Sequence, residues 1–176
     1  EGPYLNEKYK GCHPQEKLLA PPEAVSDFLT PETLPAVKVM TLAPELDKNS
    51  QLTRYLVSQG IRVSAGHSNV GYHEMREATH NGITGVTHLY NAMPQMHHRS
   101  PGPAGAALTL PHVWPEIIAD GYHVSIPMLQ IAARAKPNEL ILSTDSSPLS
   151  GQSEGSSYQI GPEKCILKQG QVTNSA

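Results

Sequence analysis

The sequence predicts an α/β fold built from parallel βαβ units, and two observations carry that expectation. Between residues 37 and 145, short β-branched or apolar runs alternate with helical stretches. Strands alternating with helices of about ten residues imply parallel pairing through crossover helices. In addition, four of the strand candidates run directly into a histidine or an aspartate. The carboxyl ends of parallel strands gather on one side of such a fold, which is where its functional groups sit.

Each element has its own signal. Residues 37–43 read as the first strand. Ser50 is placed to cap a helix in which Leu52, Tyr55 and Leu56 share one face, with Gly60 as its stop. Residues 61–65 form the next strand, and 72–79 a helix closed by Asn81-Gly82. Residues 83–87 return to strand, followed by a long Pro/Gly-containing loop from Asn91 to about Pro111. Residues 116–119 read as the fourth strand. Ser125 and Pro127 open a helix with Met128, Leu129, Ala132 and Ala133 inward, ended by Pro137. Residues 140–143 are the fifth strand. The ends differ from this middle. Residues 1–22 are loop-like, with Gly2-Pro3, Gly11 and Pro21-Pro22, and 146–176 read as a loop or hairpin excursion rich in Ser, Gly and Gln.

Composition narrows the class. The 176 residues suffice for one domain with a core, and the net charge is -3 with no basic block. This argues against a nucleic-acid surface and gives no support for a membrane partner. No stretch approaches the ~18 apolar residues of a membrane span. Cys12 and Cys165 form no CxxC pair and read as free thiols of a cytosolic protein, although spacing alone leaves pairing open. The chain starts at Glu1 rather than Met, which leaves room for a preceding targeting segment.

The chemistry concentrates at the strand ends. Residues 61–65 lead into Gly66-His67, 83–87 into His88, 116–119 into Asp120-Gly121-Tyr122-His123, and 140–144 into Asp145. Imidazoles and a carboxylate are the usual ligands of a catalytic divalent ion, and a further carboxylate can move protons. Singly, each signal has a bland alternative: a histidine after a strand is often just hydrogen-bonded, and an aspartate there is often a helix cap. Recurrence at four successive ends favours the functional reading. His73, His80 and His112 read as surface or packing residues, while His97-His98 in the long loop could be either.

Several motifs resemble those of the N-acetylglucosamine-6-phosphate deacetylases of the amidohydrolase superfamily. They are Glu1-Gly2-Pro3-Tyr4-Leu5-Asn6, Lys10-Gly11, His13-Pro14, TLAPE ending at Glu45, SAGHS around His67, THLYNAM from Thr87 to Met93, RSPG from Arg99 and IADGYH ending at His123. The resemblance spans nearly the whole chain and weakens after Asp145. It implies an incomplete (β/α)₈ TIM-type barrel, about strands 4 to 8 with the end of strand 3, since five strands cannot close an eight-stranded barrel. It implies that Glu1, His67 and His88 bind a divalent metal, Zn²⁺ or Fe²⁺, and that Asp145 is the general acid/base. Asn91 and the Ala92 backbone would contact the sugar phosphate, His13 and His123 would contact substrate, and Arg99 would reach the phosphate of a neighbouring subunit in a homodimer.

The implied reaction is hydrolysis of N-acetylglucosamine 6-phosphate by a cytoplasmic enzyme of amino-sugar breakdown, with activity of the isolated stretch doubtful. Ser146-Ser147 and Ser100 depart from the family's pattern. The rivals are another amidohydrolase of dihydroorotase or deaminase type, or an inactive sugar-phosphate-binding chain. The THLYNAM and RSPG loops favour the sugar phosphate, and the intact Glu1, His67, His88 and Asp145 set favours an enzyme.

Overall fold

The computed structural model describes residues 1–21, 30, 32–160 and 163–174. The expected strands appear as β1 (Val39–Leu42), β2 (Arg62–Ala65), β3 (Ile83–Val86), β4 (Trp114–Ile118) and β5 (Ile141–Ser143). They form one sheet in sequential order, with every neighbouring pair parallel. Each connection carries one α-helix: α1 (Gln51–Ser58), α2 (Tyr72–His80), α3 (Gly102–Thr109) and α4 (Ile126–Ala135).

Alternation along the strands separates two faces of the sheet. Met40, Leu42, Val63, Ala65, Val86 and Ile117 share one buried cluster with Leu52 and Leu56 of α1, Met75 of α2, Ala104 and Ala107 of α3, and Ala132 of α4. On the other face Thr41, Ser64, Gly85 and Trp114 stand in one register row, and Glu116 is in register with Ile141. This face is polar near the strand ends. The Thr87 hydroxyl donates to Ser64 Oγ at 2.8 Å and lies 2.8 Å from Thr41 Oγ1, so three buried hydroxyls link β1, β2 and the end of β3.

Three expectations are corrected. Ser50 does not cap α1: it has φ 51° and no side-chain hydrogen bond to the helix. Asp47 takes that role from five residues away, its two carboxylate oxygens accepting the N–H of Leu52 (3.0 Å) and of Thr53 (2.8 Å) and the Thr53 hydroxyl (2.7 Å). The loop expected from Asn91 to Pro111 contains α3. Its Gly-Pro-Ala-Gly-Ala-Ala-Leu segment is buried throughout, so it has no polar face and no helical periodicity to read. Ala133, expected inward, is exposed, while Met128 and Leu129 are half-buried against the core.

The terminal stretches are also structured. Tyr4 and Leu5 are buried, and the first residues bond to the strand ends through Gly2 N to Thr41 O (3.1 Å), Ala43 N to Tyr4 O (2.8 Å) and Asn6 N to His67 O (2.9 Å). Pro22, part of the expected Pro-Pro break, lies outside the described residues. After β5, β6 (Ser157–Ile160), β7 (Glu163–Lys168) and β8 (Gln171–Asn174) make a three-stranded antiparallel sheet, one strand more than a hairpin. Among the described residues no helix is long and apolar enough to cross a membrane.

Candidate metal centre

His67 follows β2 and His88 follows β3, and both leave their strands with left-handed backbone, at φ 47° and 33°. Such conformations are uncommon for residues other than glycine and, where the fold enforces them, concentrate at functional sites. Gly66 makes the turn at His67 possible. A Cβ there would lie 2.6 Å from Thr41 Cγ2 and 2.8 Å from Thr87 Cβ. Both imidazoles are buried, and their rings meet edge to face with centroids 4.7 Å apart.

Glu1 reaches the same point from the N-terminal segment. Its Oε1 contacts His67 Nε2 and lies 3.4 Å from His88 Nε2, while the two Nε2 atoms are 2.9 Å apart. His67 Nδ1 lies 2.6 Å from the Tyr9 carbonyl oxygen. A carbonyl only accepts, so Nδ1 carries the hydrogen and Nε2 of the neutral ring keeps its lone pair. A carboxylate oxygen and two imidazole nitrogens therefore crowd around one point, where either a proton on a ring or a metal ion can stand between them. Ligand atoms held at about 2.0–2.2 Å from a common ion stand about 3–3.5 Å from one another. The Glu1–His88 separation meets that spacing, while the other two are closer and would open around an ion; Glu1, His67 and His88 form a group that could hold a metal ion. The Nδ1 of His88 is buried without a hydrogen-bond partner.

Electrostatics reflect the crowding. Burial acts to raise the Glu1 pKa, but hydrogen bonds from His13, His67 and His88 outweigh it and hold the carboxyl far below the usual range. Burial acts to lower the His88 pKa, but the Glu1 hydrogen bond and the charges of Glu1 and Asp145 outweigh it and push it up.

The other expected site residues fall into two sets. His13 joins the group, its Nε2 3.2 Å from Glu1 Oε1 and its ring edge-on to His67. Asp145 follows β5, is exposed, and has φ 46°. It lies near enough to act on the charge states of His88 and of Glu116. His123 is tied to the loop after β4, its Nδ1 2.6 Å from Asp120 Oδ2. A cleft of about 450 Å³ lies between the ends of β4 and β5, lined by Ile118, Asp120, Leu142, Ser143 and Ser146 among others. Asn91 and Ala92 are half-buried in the turn after His88, where Tyr90 (φ 76°) and Ala92 (φ 47°) are also left-handed. Arg99 is not brought to the metal group. It sits exposed on a tight turn closed by hydrogen bonds between His97 and Ser100.

Two residues of the site carried no assigned role in the sequence. Glu45 fixes the loop after β2: its Oε1 accepts Asn6 Nδ2 (2.9 Å) and Asn69 N (2.6 Å), and its Oε2 accepts the Ser68 hydroxyl (2.6 Å). Nothing in its spacing marks that role. Glu116 is half-buried on β4 with its pKa raised by burial, then by Glu1 and Asp145, against the opposing effect of His88. An acidic residue inside an otherwise apolar strand was the available signal for it.

A parallel α/β sheet presenting two imidazoles and carboxylates from successive strand ends, around a group able to hold a metal, defines a class of site-bearing α/β proteins. Comparison with known proteins makes the assignment particular. In sequence and in structure, the chain matches part of the N-acetylglucosamine-6-phosphate deacetylases. It is 38% identical over 178 residues to the N-acetylglucosamine-6-phosphate deacetylase of Vibrio furnissii, covering 100% of this chain and 44% of that protein. It is 36% identical over 163 residues to an N-acetylgalactosamine-6-phosphate deacetylase of Escherichia coli O157:H7, covering 93% of this chain and 43% of that one. A variant of the Mycobacterium smegmatis N-acetyl-D-glucosamine-6-phosphate deacetylase, solved in complex with N-acetyl-D-glucosamine-6-phosphate, superposes with a TM-score of 0.88 at 30% identity, over 99% of this chain and 46% of its own. The chain thus spans less than half the length of these relatives. No family model matches it.

Proposed function

We propose that the protein carrying this chain hydrolyses N-acetyl-D-glucosamine 6-phosphate to D-glucosamine 6-phosphate and acetate. The observation that carries the reading is the convergence of Glu1, His67 and His88 on one point, beside Asp145, in a chain related to deacetylases of that substrate. The parallel sheet is read as an arc of a (β/α)₈ barrel of amidohydrolase type, with 146–176 as an excursion from it, in a cytoplasmic homodimer.

The metal group suits Zn²⁺ or Fe²⁺, for which two imidazoles and a carboxylate are common ligands. Such an ion, when bound, acidifies water and polarises an amide carbonyl. Tyr9 accepts the Nδ1 hydrogen of His67 and so keeps the opposite nitrogen turned into the group. Asp145 takes the proton released as the water oxygen bonds to the acetyl carbon. It returns that proton to the amine as the C–N bond breaks, and ends ionised as it began. Asp120 holds His123 by Nδ1, leaving Nε2 to meet a substrate oxygen. The left-handed run at His88, Tyr90 and Ala92 is backbone of the kind that forms anion-binding concavities, which suits a phosphate held by Asn91 and Ala92. Arg99 offers its planar fork of donors to the phosphate of the neighbouring subunit.

Acetate release by the full-length protein tests this reading. Arg99→Ala should raise KM for the phosphorylated sugar far more than for N-acetylglucosamine, and equal effects would remove Arg99 from phosphate binding. The relationship to the galactosamine enzyme supports a second reading, so both epimers should be assayed. Turnover of the galacto epimer alone would replace the substrate, and turnover of neither would overturn the activity.

A further inference from the structure

We propose that the β7–β8 turn, residues 169–171, is a positioning element for His123. It holds the Tyr122–His123 backbone from outside while Asp120 holds it from inside. The importance of His123 to substrate rests on the function proposed above, but the mechanical coupling does not.

The loop after β4 is anchored at its far end by Val124, which is buried in the core, but its tip at Gly121 and Tyr122 is exposed. Gly121 has φ 77°, and Tyr122 is 59% exposed. On the inner side Asp120 ties the tip down. Asp120 Oδ1 accepts the N–H of Tyr122 at 2.8 Å and of His123 at 2.9 Å, while Oδ2 meets His123 Nδ1. These bonds fix the ring relative to Asp120, but they span only three residues and leave the outer side of the Tyr122 backbone and ring to be held from elsewhere.

The outer restraint comes from almost fifty positions later in the chain. The Gln171 side-chain amide donates to the Tyr122 carbonyl oxygen. Gly170 lies against the Tyr122 ring. A Cβ built on it would stand 2.9 Å from Cδ1 and Cε1 and 3.1 Å from Cγ, so the residue sits over one side of the ring. Gly170 also has φ 76°, as the turn requires. The turn is anchored to the segment that precedes β6, Gln169 N donating to Glu154 Oε1 at 2.7 Å and Gly155 N to Leu167 O at 2.9 Å. One contact is a hydrogen bond and the other is shape. Together they register the antiparallel sheet against the loop that carries His123.

The consequence is specific. A methyl at Gly170 pushes on the Tyr122 ring, and through it on the next residue. Displacements of about 1 Å at a substrate-contacting group can cost up to ~10²-fold in rate. In the full-length protein, Gly170→Ala should lower kcat/KM for N-acetylglucosamine 6-phosphate about tenfold with metal content unchanged. The His123 ring resonances, followed by ¹⁵N-histidine NMR, should shift.

Combining Gly170→Ala with Tyr122→Ala separates the proposal from simple backbone strain. Removing the ring removes the collision, so the double variant should match Tyr122→Ala alone in both rate and His123 resonances. If Gly170→Ala costs the same with or without the ring, or leaves His123 unmoved, the turn does not position His123. Gln171→Ala, which introduces no new atoms, should shift the same resonances and raise KM. The NMR readout needs no substrate, so a wild-type protein inactive on hexosamine phosphates would sink the proposed function while still testing the coupling.

Discussion

His67 Nδ1 and the carbonyl oxygen of Tyr9, 58 positions apart in sequence, lie 2.6 Å from each other. The contact decides which nitrogen of His67 faces the metal group, and it depends on how closely the N-terminal segment wraps the ring. Gly11 sets that closeness. It has φ 58°, and a Cβ there would stand 3.2 Å from His67 Cε1. Gly11→Ala should therefore push the segment off the ring and loosen the Tyr9 bond. Loss of an outer partner of a ligating histidine typically weakens metal affinity by about 10–100-fold. Competition of Zn²⁺ between the protein and a chromogenic chelator measures this. Unchanged affinity would detach the Tyr9 contact from metal binding.

Metal binding should also depend on pH in a defined direction. The His88 pKa is pushed above its ordinary 6.5 because the Glu1 hydrogen bond and the Glu1 and Asp145 charges outweigh burial. In the metal-free protein this raised group stabilises the fold fully below about pH 6.5, and the contribution is lost as pH rises through the folded-state value. A metal needs the neutral ring, so binding must expel that proton. Metal-free stability from this group thus declines over the same interval in which metal affinity climbs. Glu1 does not reverse the trend, because its lowered pKa loses stability only as pH falls below the usual carboxylate range. The rise in Tm on adding Zn²⁺ should be larger at pH 8 than at pH 6. An equal or smaller rise at pH 8 would show that His88 is not the group displaced.

The cap of α1 gives a prediction on stability alone. Asp47 is 6% exposed and accepts three hydrogen bonds from Leu52 and Thr53. Asp47→Ala strips those donors and should cost about 1–2 kcal/mol. Ser50→Ala removes a hydroxyl that caps nothing and should stay within about 0.5 kcal/mol. Denaturant midpoints of both variants compare the two directly, and a larger loss at Ser50 would contradict the observed cap.

The contrast between Asp47 and Ser50 shows what the sequence could convey. The five strands were readable as short β-branched or apolar runs, α1 and α4 from apolar residues expected on one face, and α2 from the Asn81-Gly82 stop that closes it. Helix α3 was not, since Gly102 to Leu108 are buried on every side and no periodic contrast is left. Residues bound to the ends of strands were legible as candidates because strand-end position is a local signal. The contacts that orient them were not: Tyr9 against His67, Glu45 against Ser68 and Asn69, and Gly170 against Tyr122 all join positions that only folding brings together. The Asp47 cap is closer in sequence, but the two intervening left-handed residues, Asn49 and Ser50, have no strong signature.

Asp145 offers the sharpest test of the chemistry, because its backbone conformation selects the right substitution. At φ 46° an alanine would be strained, so Asp145→Ala would mix backbone relaxation with loss of the carboxylate. Asparagine is among the residues that tolerate left-handed backbone best and has nearly the same shape. Asp145→Asn should therefore leave the fold and the Glu1, His67 and His88 group in place while removing the proton acceptor. Loss of a general acid/base typically lowers the rate by about 10²–10⁴-fold, and that is the expected fall in kcat, with KM for N-acetylglucosamine 6-phosphate little changed. A second effect should accompany it. The Asp145 charge helps hold the proton on His88, so the neutral amide should let that proton leave at lower pH. The pH at which Zn²⁺ affinity begins to climb should then move down relative to wild type. Near-normal turnover by the variant would remove Asp145 from proton transfer. A lost rate with an unmoved Zn²⁺ pH profile would keep it in catalysis but uncouple it from His88.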